Sequence, residues 1–86
     1  MNSSRPHTTT LAAVYNRGRM VATIQVNGDV RPLTRGETIR TLLTSFNLKP
    51  EKVAIEVNRR LIRAGDYDRD LIEGDIVEIV TFVGGG

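Results

Sequence analysis

From Met20 the chain alternates apolar and polar positions with period two. Ala22, Ile24 and Val26 are separated by Thr23 and Gln25, the pattern of a half-buried strand. Asn27-Gly28-Asp29 follows, and Asn and Gly tolerate the positive φ angles of a tight hairpin turn. A second strand, about Val30 to Leu33, is expected to pair back on the first. Pro32 has no N–H to give a ladder, so this strand belongs at an edge or has a short pairing. Thr34 to Glu37 form the next loop, punctuated by Gly36.

The period then changes. Ile39, Leu42, Leu43 and Phe46 fall at i, i+3, i+4 and i+7, one apolar stripe of a helix, with Arg40, Thr41 and Thr44 toward water. Thr38 is its N-cap, because a hydroxyl there can accept from the free amides of the first turn. Lys49-Pro50 is expected to end it. Period two returns with Val53, Ile55 and Val57, set between Ala54 and Glu56. Asn58-Arg59-Arg60 turns the chain into a short fourth strand at Leu61 and Ile62. Asp66 to Ile72 reads as polar and irregular, with one helical turn burying Leu71 and Ile72. Glu73-Gly74-Asp75 is a tight turn into a last strand from Ile76 to Val80, which Thr81, Phe82 and Val83 carry outward to Gly84-Gly85-Gly86.

The order predicts an α+β fold: one main helix packed on a small mixed sheet of four to five strands. This is the order of the β-grasp, or ubiquitin-like, fold. The domain is expected to span residues 20–83, followed by a flexible glycine tail at 84–86. Residues 1–19 are rich in Ser, Thr and Arg without apolar period and are expected to be disordered. Met20 is a candidate natural start, which would make 1–19 an upstream leader; a transit-like or nucleic-acid-binding arm is the other reading.

Composition removes several classes of function. At 86 residues the chain holds one small domain, burying about 60% of its unfolded surface. It has no Cys, hence no disulfide, thiolate ligand or thiol nucleophile. No apolar run approaches the roughly 20 residues of a membrane span, and no secretory signal opens the chain, so a cytoplasmic protein is expected. The net charge of +2 arises from Arg5, Arg17 and Arg19; from Met20 onward there are nine basic and ten acidic side chains. A near-neutral body argues against a nucleic-acid footprint.

The side chains are poor in chemistry. His7 lies in the extension, away from the fold, and no Gly-rich loop opens a helix for phosphate. Asp66, Asp68 and Asp70 have a metal-loop spacing, yet the Gly and terminal Glu of an EF-hand do not follow, so a charged loop is expected and no metal site.

Ile24-Gln-Val-Asn-Gly28 and Gly36-Glu-Thr38 before Leu42-Leu43 resemble the start of the ThiS family, sulfur carriers of thiamin (thiazole) biosynthesis within the MoaD/ThiS superfamily. Val53-Ala-Ile-Glu-Val-Asn58 with Ile62-Arg63 resembles its middle, and Glu73-Gly-Asp75, Val77-Glu-Ile-Val80 and the terminal glycines its end. The resemblance covers Met20 to Gly86. The chain departs in three places: Arg59 stands where the family commonly has Gly, Ala64 to Asp70 lacks the family's Trp or Ser pattern, and Gly84 precedes the usual glycine pair.

The resemblance implies a protein that is no enzyme itself but a co-substrate. The Gly86 carboxylate would be adenylated by a ThiF-like activating enzyme using ATP and Mg²⁺, with no cofactor bound by the carrier. A persulfide donor, a cysteine desulfurase or a rhodanese-like protein, would replace AMP with sulfur. The thiocarboxylate would then serve a thiazole synthase of the ThiG type. Glycine suits such a tail, since without Cβ the backbone can enter a narrow channel. Three extended residues reach roughly 10 Å. Gly84, Gly85 and Gly86 are therefore the expected inserted segment. Strand parity sets Val77 and Ile79 toward the helix and leaves Ile76, Val80 and Phe82 outward as candidate partner contacts, with Arg59 and Arg60 beside them. The plainer readings are a frayed linker for the glycines, a core-closing Phe82 and a solvated turn at Arg59-Arg60. The carrier is expected to be a monomer alone. Three other functions fit the same order: a MoaD-like carrier for molybdopterin synthase, a protein modifier similar to ubiquitin, and an RNA-binding module similar to the TGS domain.

Overall fold

The computed structural model describes residues 15–16 and 19–82, with side chains from residue 21. A two-residue ladder opens it, β1 (Tyr15–Asn16) antiparallel to β2 (Arg19–Met20). The main sheet then assembles from β3 (Thr23–Val26), β4 (Asp29–Pro32), β5 (Val53–Val57), β6 (Arg60–Ile62) and β7 (Ile76–Thr81). Its order is β4-β3-β7-β5-β6, with β3 and β7 parallel and the other neighbours antiparallel. Among the described residues one α-helix, α1 (Ile39–Ser45), connects the first hairpin to the second half of the sheet. This is the expected β-grasp: among the described residues, a mixed sheet of five strands carrying one α-helix.

Local chemistry sets each turn. Asn27 (φ 50°) and Gly28 (φ 88°) both take the left-handed region, as a two-residue hairpin turn with the twist of its strands requires. Pro32 closes β4 on the sheet edge, where its missing N–H costs no ladder bond. The second hairpin turns on Asn58 (φ 54°) and Arg59 (φ 70°), so a side chain occupies a position that glycine would hold without strain. Arg60 is not in that turn, as the sequence suggests, but is the first residue of β6, because Asn58 and Arg59 alone suffice to reverse the chain.

Thr38 caps α1 as expected. Its hydroxyl accepts from the Thr41 amide (3.1 Å), and Thr41 Oγ1 accepts from the Thr38 amide (2.9 Å). Ile39, Leu42 and Leu43 are fully buried. Two expectations at the far end fail. The helix stops at Ser45, not at Lys49-Pro50, because Asn47 adopts φ 60°. The Leu48 amide then donates to Leu43 O (2.9 Å) and the Asn47 amide to Thr44 O (3.0 Å), a left-handed C-terminal cap. Pro50 opens a separate 3₁₀ turn, Pro50–Lys52. Phe46 therefore leaves the buried stripe: it remains 38% exposed under the Arg31 guanidinium, 4.7 Å from the ring centroid.

The core lies between α1 and one face of the sheet, where Ile24, Val26, Val53, Ile55, Val57, Val77 and Ile79 meet the helix stripe. The long segment before β7 closes one end. It contains a 3₁₀ turn at Ala64–Asp66 and buries Tyr67 and Leu71, whereas Ile72, expected inside, is 64% exposed. The Ile72 amide is drawn instead to Asp75 Oδ2 (3.0 Å), which turns its side chain away from the core. Tyr67 O accepts from the Arg40 amide (2.8 Å), Glu37 O accepts from the Leu71 amide (2.9 Å), and Thr38 and Asp70 form a backbone bridge. This loop thereby satisfies one free amide at the start of α1, that of Arg40. Asp68 pairs with Arg40 (2.7 Å), an exposed contact. Among the described residues no group of His, Asp or Glu could hold a metal ion, and no helix is long and apolar enough to cross a membrane.

Candidate functional site

β7 is the element that carries the chain toward its end, and the sheet holds it firmly. It runs between β3 and β5, paired from Gln25↔Ile76 on one side and through Val53↔Thr81 on the other. Two asparagines, each at the first position of a hairpin turn, bracket it. Asn27 Oδ1 accepts from the Ile79 amide (2.7 Å) while its Nδ2 donates to Ile79 O (3.2 Å). Asn58 Oδ1 accepts from the Ile76 amide (3.0 Å) while its Nδ2 donates to Asp75 Oδ1 (2.9 Å). Asp75, only 4% exposed, is thereby supplied with two donors, Asn58 and the Ile72 amide. The alternation pattern registers Asn27 and Asn58 only as turn formers; their side-chain roles and the burial of Asp75 depend on contacts between residues 17 to 52 positions apart.

Alternation along β7 buries Val77 and Ile79 and exposes Ile76 (43%), Val80 (59%) and Phe82 (54%). Phe82 therefore does not close the core. Its amide donates to Lys52 O (2.8 Å), so the backbone is still anchored to the sheet where the ring faces out. The register gathers these residues with others on the face opposite α1. Val80 lies across from Ala54, and Glu78 across from Glu56, which itself faces Leu61 on β6. Leu61 is 69% exposed and belongs to this surface, although the short apolar pair Leu61-Ile62 gave no sign of which of the two points out. Like charges at Glu56 and Glu78, directly opposite one another, disfavour the free sheet face. An apolar patch with an acidic centre results.

The two arginines part company. Arg59, at the turn, lines a small hollow with Asn58, Ile76 and Glu78, and so joins the outer face. Arg60 stands opposite Val57, whose side chain is in the core, so strand alternation sets it on the helix side of the sheet edge. It does not meet Ile76, Val80 and Phe82 across the outer face. Gly84, Gly85 and Gly86, the expected chemical end, lie outside the described residues.

The comparisons with known proteins agree with this arrangement. The ThiS family model matches residues 24–86, from the second residue of β3 through to the glycine end. The sulfur carrier protein ThiS of Bacillus subtilis is 40% identical over 65 residues, covering 73% of this chain and 98% of that one. A thiazole synthase of Magnetococcus marinus is 38% identical over 64 residues; the match covers 73% of this chain but spans only 20% of the synthase. Among solved structures, the crystal structure of the thiamine biosynthesis protein ThiS from Geobacter metallireducens superposes with a TM-score of 0.59 at 28% identity, covering 74% of this chain and 99% of that one. Hairpin, helix, crossed strands and terminal glycines are thus matched as one continuous unit, and the chain belongs to the ThiS family.

Proposed function

We propose that this chain is the sulfur carrier of thiazole formation in thiamin biosynthesis, working through the carboxylate of Gly86. The observation that carries the reading is the extent of the family match, which runs through the β-grasp body and on to residue 86. An α-carboxyl group is ionised at neutral pH and is a poor electrophile. A ThiF-like enzyme would therefore join it to AMP, using ATP and Mg²⁺ and releasing pyrophosphate. The terminal sulfur of a persulfide donor attacks the resulting carbonyl and expels AMP. A thiol then cleaves the remaining S–S bond and leaves a thiocarboxylate. The carrier contributes no catalytic side chain and no cofactor of its own; it presents the group.

Docking falls to the outer face of the sheet. Ile76, Val80, Phe82 and Leu61 supply apolar area, while Glu56 and Glu78 invite a cation from the partner, whose approach would also relieve their mutual repulsion. The match to thiazole synthases supports an acceptor of the ThiG type, since a domain like this one recurs within that longer chain. The test is to incubate the protein with ATP, Mg²⁺, an activating enzyme and a persulfide donor, then weigh it intact. Replacement of one oxygen by sulfur is the expected result, with transfer to a thiazole synthase downstream. An unchanged mass in every such mixture would overturn the reading; delivery to a molybdopterin synthase alone would move it to the other branch.

A further inference from the structure

The side of β7 left open beyond Asn27 offers an unpaired strand edge at the root of the tail. Peptide groups along β7 alternate between its two neighbours. Those of Ile76 and Phe82 turn to the β5 side, meeting the residues that flank that strand: the Asn58 amide donates to Ile76 O (2.8 Å) and the Phe82 amide donates to Lys52 O (2.8 Å). Those of the odd-numbered residues point to the β3 side. Gln25 donates to Asp75 O and Asn27 to Val77 O, both at 2.9 Å, and the Ile79 amide reaches Asn27 Oδ1. β3 ends at Val26, and Asn27 substitutes its side chain for one further residue of strand before the turn carries the backbone away. The N–H and C=O of Thr81 come next on that side. Among the described residues, nothing pairs with them there.

We propose that an extended segment of the activating enzyme pairs with this edge at Thr81, adding a strand to the sheet in the place that β3 vacates. The inference rests on the carrier reading. The surface beside the edge suits a strand: an open groove of about 350 Å³ lined by Asn27, Asp29, Phe46, Leu48, Ile79 and Thr81, where the half-exposed Phe46 ring already carries the Arg31 guanidinium on one face. Main-chain pairing supplies affinity without demanding a particular partner sequence. It also sets register. Five residues, Phe82 to Gly86, follow Thr81, a reach of roughly 17 Å when extended. A partner that fixes Thr81 by two backbone hydrogen bonds thereby fixes how far the terminal carboxylate can extend toward the nucleotide. Contacts on the outer face hold the body but leave this distance loose.

The experiment replaces the Thr81 donor while sparing the β5 ladder, which Thr81 does not bond. Thr81→Pro removes the N–H at an edge position, where proline is tolerated. Thr81→Val keeps the N–H while also losing the hydroxyl, and is the reference against which the proline is read. Carrier-dependent pyrophosphate exchange by the activating enzyme is the readout, with the thermal midpoint recorded in parallel. Thr81→Pro is expected to raise the KM for the carrier by roughly five- to tenfold relative to Thr81→Val, the worth of one lost hydrogen bond. Should Thr81→Pro lose its fold, a semisynthetic chain with an ester in place of the Thr81 amide makes the same deletion. A folded Pro or ester chain activated with the normal KM would overturn the proposal while the carrier reading stands. A normal chain that no activating enzyme adenylates would bring down both.

Discussion

Arg59 pays for its place in the turn with a left-handed backbone. At φ 70° its Cβ crowds the following carbonyl, at a cost of about 1–2 kcal/mol for a residue with a side chain. Glycine would be free of that strain but loses more entropy on folding, about 0.5–1 kcal/mol. Arg59→Gly should therefore stabilise the domain by about 0.5–1 kcal/mol, read as a higher urea midpoint. If the guanidinium also touches a partner beside Ile76 and Glu78, the same change weakens activation, and the two effects carry opposite signs. Asn58 is the reverse case. Asn58→Ala strips a donor from Asp75 and an acceptor from the Ile76 amide, and should cost about 2–4 kcal/mol, because Asp75 stays buried with its charge less well satisfied. Tyr67 makes a prediction in pH. Burial pushes its hydroxyl above the ordinary value of 10.0, so the fold favours the protonated form. Its contribution is complete below the unfolded value and is lost as pH climbs through the raised folded one. Tyr67→Phe should therefore flatten the alkaline loss of stability, measured by urea unfolding from about pH 8 to about 11.

Among the elements, α1 shows most clearly what a linear pattern can and cannot specify. Its seven residues are too few to be stable alone, so the fold supplies the rest through Ile39, Leu42 and Leu43. The i, i+3, i+4 spacing and the Thr38 cap were legible, since both are properties of neighbouring residues. The end was not. Proline at 50 marks where a helix must stop, but Asn47 stops it earlier by entering the left-handed region, a choice stabilised by the cap at Leu43 and Thr44. Phe46 loses its buried place as a consequence. The strands divide in the same way. Val77 and Ile79 inward with Ile76, Val80 and Phe82 outward follows from period two alone. That Leu61 joins them, and Arg60 does not, follows from register, which only the paired sheet fixes. The outer face should act as a docking surface independent of the fold. Val80→Glu adds a third carboxylate beside Glu78 and Glu56 on an exposed position. The expected result is a slightly lowered thermal midpoint, from the added like charge, and a large rise in the KM for the activating enzyme. A KM left as it was would remove this face from the docking surface.

For the whole molecule, the question is how a chain with so little side-chain chemistry divides recognition from reaction. The body supplies a paired sheet, and β7, locked by Asn27 and Asn58, is the axis along which that pairing extends to Phe82. The fold was readable from alternation because hairpin, helix and strands each have local signatures. The candidate site was readable only as a surface and an end. The brackets, the buried Asp75 and the open edge at Thr81 arise from contacts distant in sequence. If body and terminus have separate tasks, they should fail separately. An extra Ala after Gly86 leaves every docking contact in place but moves the carboxylate by one residue, roughly 3.5 Å beyond the position set for attack on ATP. Such a chain should still compete with the normal carrier for the activating enzyme while forming no adenylate in pyrophosphate exchange. Val80→Glu should do the opposite at moderate concentrations, competing poorly yet reacting once bound at saturation. An Ala-extended chain that is adenylated normally would show that the position of the terminal carboxylate is not what the enzyme reads, and the division of labour between sheet and tail would fail with it.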